Sequence, residues 1–256
     1  PSFDGLEIPA YYYRPRVASR VTNTGLQPVI IFVHGGPESQ FRPLYAAPWM
    51  PPFQYYLNLG FAILAPNVRG SSGYGKSYVH LDDVGLRPNS VADLKAGVEW
   101  LIRQGKADPK RIGIMGRSYG GYMVLAAITT YPELWAAAVD MVGIANFVSF
   151  LENTGPWRRK WREGEYGSLE HDRAVLEQIS PINSVDKIIT PLLVLHGAND
   201  SRVPVGEAEQ IVAALKVRHV PVEFLRFPAE GHFTLRRDTQ LIAYPAASEW
   251  FERYMG

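Results

Sequence analysis

The sequence contains no cysteine, which excludes a disulfide framework, a thiolate metal site and a thiol nucleophile. A large core stands without disulfides, and the absence fits a reducing compartment, so a cytoplasmic location is expected. No stretch approaches the roughly eighteen apolar residues that span a bilayer, and the opening Pro-Ser-Phe-Asp-Gly-Leu lacks the pattern of a signal peptide. No membrane contact is expected. An excess of one charge is also missing: 26 basic and 25 acidic residues leave a formal charge of +1, so no global field recruits a polyanion. There is no fixed-period repeat and no linker dividing the chain. What remains is 256 residues, 46% hydrophobic and 20% charged, a size and composition for one continuous core over residues 1–256. The start at Pro1 instead of Met reads as that of a processed product or an excised module.

Short apolar runs alternate with helical segments. Residues 6–14 read as an early hairpin strand after an Asp-Gly turn. PVIIFVH at 28–34 and FAILAP at 61–66 are apolar on both faces, as strands covered from both sides are. Further strands are expected at 111–117, 136–142, near Pro191 in PLLVLH and at 220–227. Helices are expected at about 54–59, 91–103 with Gly105 as a stop, 121–130, 205–215 and 239–254. Such alternation defines an α/β fold with a mostly parallel central sheet and helices on both faces. Residues 146–182 are the least regular part and read as a partly helical excursion near the active face.

Gly116-Arg117-Ser118-Tyr119-Gly120 matches G-x-S-x-G, with an apolar strand before it (RIGIM) and a helical run after it (YMVLAAI). That context defines a nucleophile elbow, in which a tight turn lifts the serine oxygen toward substrate and places helix N–H groups where negative charge develops. Ser118 is therefore the expected nucleophile. A serine hydroxyl needs a base, and of six histidines His232 lies in the loop after the last strand, in FPAEGHF. His34 and His196 end strands next to glycine and are expected to hold loop backbone. His80, His171 and His219 read as ordinary histidines. Asp200, in the polar turn after PLLVLHGAN, is the preferred acid; Asp140, in AAAVD, satisfies the same chain order Ser, Asp, His but is expected to support the sheet edge or bind loop amides. The N–H of Tyr119 is one expected oxyanion donor, and Gly36 in His34-Gly35-Gly36-Pro37 is the second.

The series VHGGP, PNVRGSSGYG, GRSYGGYM, HGANDSRVP and FPAEGHF, in that order and across nearly the whole chain, resembles the prolyl oligopeptidase family of serine peptidases, most closely its acylaminoacyl-peptidase-like branch. The resemblance implies an α/β-hydrolase fold and hydrolysis of peptide bonds of oligopeptides through an acyl-enzyme, with Ser118, Asp200 and His232 as triad and the Gly36 and Tyr119 backbone as oxyanion hole. It also implies that Arg69 and Tyr74 brace the site. Longer relatives carry an N-terminal β-propeller over the active site, which is missing here, so a propeller domain or a second copy of the chain is the expected partner beside the peptide or small acyl substrate. Arg117 replaces the tryptophan or glycine common at that place and is expected to run out beside the helix. A carboxylesterase acting on small acyl esters is the nearest alternative; an inactive interaction module of the same fold is the other.

The remaining signals are set aside. RGSSGYG at 69–75 lacks the Gly-Lys-Ser/Thr ending of a phosphate loop. WRRKWR at 157–162 mixes bases and aromatics as nucleic-acid sites do, but Glu152, Glu163 and Glu165 flank it, so no nucleic-acid partner is expected. Neither a metal nor a cofactor is expected. Phe147, Phe150, Trp157 and Trp161 in the excursion are expected to line a pocket for an apolar acyl-side group.

Overall fold

The structure, a computed structural model, describes residues 1–15, 26–44 and 51–256. Among these the chain runs β1 (Ala10–Tyr13), β2 (Gln27–Val33), α1 (Phe53–Asn58), β3 (Ala62–Pro66), α2 (Lys76–Val79), α3 (Arg87–Arg103), β4 (Ala107–Arg117) and α4 (Tyr119–Thr130). It continues as β5 (Ala137–Met141), α5 (Phe147–Asn153), α6 (Pro156–Tyr166), α7 (Arg173–Ile179), β6 (Leu192–Gly197), α8 (Gly206–Val217), β7 (Val222–Phe227) and α9 (Arg237–Met255).

The strands form one sheet in the order β1-β3-β2-β4-β5-β6-β7. Every pair is parallel except β1 with β3. The sheet is apolar on both faces because successive residues point opposite ways. Val29, Ile31 and Val33 face a core shared with Leu94, Val98, Met123, Ala127, Ile211 and Leu215 of α3, α4 and α8. Ile30 and Phe32 face the other core, with Tyr56 of α1 and Ala247, Trp250 and Phe251 of α9. Burying β2 on both sides explains its unbroken apolar run, which alternation alone would not predict.

Two expectations about the first part of the chain are corrected. The early strand is only Ala10–Tyr13 and forms no hairpin with β2; it pairs antiparallel with β3, Ala10 opposite Pro66, at the sheet edge. Helix α3 begins at Arg87, four residues before its apolar stripe, because Arg87 and Ser90 are buried by polar contacts.

From β2 the chain moves outward to β3, then returns across β2 to β4. The winding therefore reverses between β2 and β4, and the crevice outside their carboxyl ends is where such sheets place ligands. Residues 35–41 leave β2 there, and Ser118 follows β4 directly. The 146–182 excursion carries α5, α6 and α7 between β5 and β6.

Candidate active site

The turn after β4 holds Ser118 at φ 59° and ψ −120°, a conformation that costs a non-glycine residue about 1–3 kcal/mol and persists only where its surroundings impose it. They do so here. Ser118 N–H donates to the carbonyl of Met141 on β5 (2.8 Å), and the flanking glycines leave no room for relaxation. A Cβ on Gly120 would fall 2.2 Å from the Val33 carbonyl oxygen, and one on Gly116 would fall 2.2 Å from that of Gly120. The hydroxyl thus stands at the start of α4, where the first N–H groups, Tyr119's among them, have no acceptor within the helix.

His232 follows β7, and its Nδ1–H donates to Asp200 Oδ2 at 2.8 Å. Asp200 Oδ1 accepts from the N–H groups of Arg202 (2.8 Å) and Val203 (3.0 Å), which fixes the carboxylate plane. Burial pushes the Asp200 pKa up, but the His232 hydrogen bond and these amides outweigh it and hold the carboxyl below its ordinary value. Burial lowers the His232 pKa; Asp200 opposes this, and the charges of Arg117 and Arg202 reinforce it. Ser118 and His232 line the same cavity of about 380 Å³, together with Gly35 and Gly36.

The other carboxylate, Asp140, belongs elsewhere. It lies in β5, an interior strand, so it supports no sheet edge, and it is fully buried. A Cβ at Gly121 or Gly143 would lie 2.3 Å from its Oδ1. It is thus wedged under the first turn of α4, and burial raises its pKa to about 7. His34 and His196 hold backbone: His34 Nδ1–H donates to Gly35 O (2.7 Å) and His196 Nε2–H to Val203 O (2.9 Å).

Arg117 departs from expectation. It does not run out beside the helix but is buried, with Nη1 donating to the carbonyl of His232 (3.1 Å) and Nη2 to Thr234 Oγ1 (3.3 Å). The residue before Ser118 thereby supports the loop that carries the histidine. Nothing in the five-residue motif reveals this, since a long cation between glycines reads as solvated.

The expected pocket residues are also corrected. Phe147 and Phe150 are fully buried and pack with Tyr122 and Tyr166, while Trp157 and Trp161 are 80% and 65% exposed. None of the four lines the cavity; its apolar wall is Phe32, Phe41, Leu44 and Phe233. Helix α6 turns Arg158 and Arg162 toward the cavity instead. Residues four apart share a helix face, so the tryptophans and the arginines form two adjacent stripes, and core contacts decided which one faces in.

Arg69 pairs with Asp93 (2.9 Å) and Asp4 (2.9 Å), tying the N-terminal segment to α3 without lining the cavity. Tyr74 OH accepts from Asn67 Nδ2 (2.7 Å), and the Asn67 side chain bonds both the N–H and the carbonyl of Phe41. Tyr74 therefore braces one cavity wall at second hand.

Beneath the elbow lies a polar network that no motif in the sequence signals, because its members are far apart in the chain. The fully buried Arg87 bonds Asp82, the Tyr119 hydroxyl (3.1 Å) and the Glu165 carboxylate of α6 (2.7 Å), and Tyr119 OH donates to Asp82 Oδ2 (2.9 Å). Oxygens of Asp82, Asp83 and Glu165 approach one another closely enough to hold a cation, but the Arg87 guanidinium already bonds Asp82 and Glu165. Arg87→Met would leave both carboxylates buried without their cation. It is expected to cost about 3–5 kcal/mol in urea unfolding, and an unchanged midpoint would show the network to be dispensable.

A parallel sheet closed by an antiparallel edge strand, a strained serine between β4 and α4, and a histidine after β7 engaged by the aspartate after β6 together define an α/β-hydrolase catalytic fold. The prolyl oligopeptidase family profile matches residues 50–256, and the chain belongs to that family. It is 33% identical over 259 residues to dipeptidyl aminopeptidase BIII of Pseudoxanthomonas mexicana, covering 98% of this chain and 37% of that one. Among solved structures, a puromycin-hydrolyzing peptidase of Mycobacterium tuberculosis superposes with a TM-score of 0.90 at 29% identity, covering 100% of this chain and 38% of the other. An acylaminoacyl peptidase of Pyrococcus horikoshii gives 0.85 at 28%, covering 100% and 40%. The chain spans well under half the length of the curated relatives it matches. No helix among the described residues is long and apolar enough to cross a membrane.

Proposed function

We propose that the chain is the catalytic domain of a serine peptidase that cleaves oligopeptides through an acyl-enzyme. The observation that carries this is the strained Ser118 sharing one cavity with a His232 whose Nδ1–H is held by Asp200. With Nδ1 engaged, the neutral ring leaves Nε2 free to take a proton. Ser118 Oγ adds to the scissile carbonyl carbon as its proton passes to Nε2. The tetrahedral oxyanion takes hydrogen bonds from the N–H groups of Tyr119 and Gly36. The C–N bond then breaks, the amine leaves with the proton from Nε2, and water repeats the sequence on the ester to release the acid and free Ser118. Gly36, at φ 138°, is in a conformation that side chains resist, which keeps this backbone available to substrate.

The cavity opens at the carboxyl edge of the sheet, and a propeller domain or a second copy of the chain is the cover we propose for it. A cytoplasmic location belongs to the same proposal, since the core uses no disulfide. Labelling of Ser118 by a fluorophosphonate probe, followed by mass-spectrometric analysis of a peptide-library digest, tests the reading. Labelled protein that hydrolyses esters but no peptide would establish an esterase, and folded protein that resists the probe would end the hydrolase reading.

The pH profile gives a further check. The base acts only when neutral, and burial holds its pKa below the ordinary histidine value. The rate should therefore rise through a pKa below that value and stay level above it. Arg117→Met removes a charge that lowers this pKa, so the acid limb of kcat/KM should move to higher pH. An unmoved limb would remove Arg117 from the electrostatics of His232.

A further inference from the structure

The nucleophile's cavity is charged in one sense only. Among the described residues five arginines line it, Arg42, Arg117, Arg158, Arg162 and Arg202, and no aspartate or glutamate does. They come from four separate parts of the fold: the loop after β2, the elbow after β4, the turn after β6, and α6 of the excursion. Among the described residues one carboxylate forms an ion pair with them, Glu38 with Arg162 at 3.3 Å, while Asp200 and Glu230 act on Arg117 from a greater distance. Arg202 lies over the Phe233 ring at 5.0 Å. Arg158 Nη1 and Arg117 Nε are buried with no hydrogen-bond partner among the described residues.

Such an arrangement is costly in the absence of an anion. Like charges repel across a partly buried cleft far more than on an open surface, and burial together with Arg162 and Arg202 lowers the Arg158 pKa. Two other buried arginines of this protein each pair with two carboxylates: Arg69 with Asp4 and Asp93, and Arg87 with Asp82 and Glu165. Of the cavity arginines only Arg162 has an ion pair among the described residues, and all five line the cavity that holds Ser118. A guanidinium presents a planar fork that fits a carboxylate with two parallel bonds.

We infer that this cavity selects peptide substrates carrying a carboxylate next to the scissile bond. The carboxylate comes either from an Asp or Glu side chain on the acyl side or from a free C-terminus on the leaving side. The inference rests on the peptidase reading and adds the substrate class to it.

The test compares isosteric pairs with the intact chain. On the acyl side, N-acetyl-glutamyl and N-acetyl-glutaminyl anilides are compared; on the leaving side, short peptides with a free or an amidated C-terminus. A charge-assisted contact predicts kcat/KM about 10- to 100-fold higher for the carboxylate member of one pair. That ratio should shrink steeply with added salt, and the pair that responds identifies the source. Arg158→Gln, and independently the exposed Arg42→Gln, should reduce the ratio severalfold. Fluorophosphonate labelling, run in parallel, reports on the hydrolase reading alone. Labelled protein with no carboxylate preference in either pair overturns the inference and leaves that reading standing; protein that resists the probe sinks both.

Discussion

Ser118→Ala is expected to abolish fluorophosphonate labelling and to lower kcat by roughly five to six orders of magnitude, leaving only what the oxyanion donors and substrate positioning supply. Stability should hardly change. The elbow is imposed by contacts that alanine keeps, namely the backbone bond from residue 118 to Met141 and the close approach of Gly120 to Val33. Purified variant with matched urea unfolding, assayed on the best substrate of the library digest, gives the measurement. Turnover within tenfold of the parent would remove Ser118 from the chemistry.

Asp200→Asn should cost about 10⁴-fold in kcat. The carboxylate now accepts from Nδ1–H of His232 and from two backbone amides. An amide side chain turned with its oxygen toward those N–H groups presents an NH₂ to the ring. The imidazole then prefers the tautomer with its proton on Nε2, where it cannot accept one from Ser118. Asp140→Asn is the matched control. That carboxyl has a pKa of about 7 and faces the α4 turn, so the amide resembles its protonated form, and kcat should stay within about tenfold. The reverse pattern in the two variants would place the acid at the wrong strand end.

The parts of this molecule that could be read from the sequence are those where local chemistry leaves one solution. The glycines around Ser118 demand a turn because backbone passes on both sides of it, and the both-faced apolar runs of β2, β3 and β6 demand a covered parallel sheet. Asp200 and His232 stand out because each follows a strand in the required order, β6 buried throughout and β7 partly exposed. Partners distant in the chain were not legible. β1 reads as a hairpin strand from its own residues, whereas its partner β3 is chosen by the edge that β2 leaves open. Spacing shows that Trp157 and Trp161 share a face, as do Arg158 and Arg162, but which face turns inward depends on contacts with the rest of the fold. Arg117 hides for a similar reason: its acceptors, His232 O and Thr234 Oγ1, lie 115 and 117 residues onward.

The bond from Glu165 to Arg87 bears on how this fold can be rebuilt by recombination. An excursion spliced in from a relative would bring its own α6, and unless it carried an acid at the place of Glu165, Arg87 would lose one of its two carboxylates while still gripping the hydroxyl of Tyr119. The seams of the excursion in sequence, near residues 146 and 182, are therefore poor crossover points when taken by themselves. A chimera that transfers residues 82–87 along with the excursion moves both ends of the bond together, and it should fold where the simple loop exchange does not.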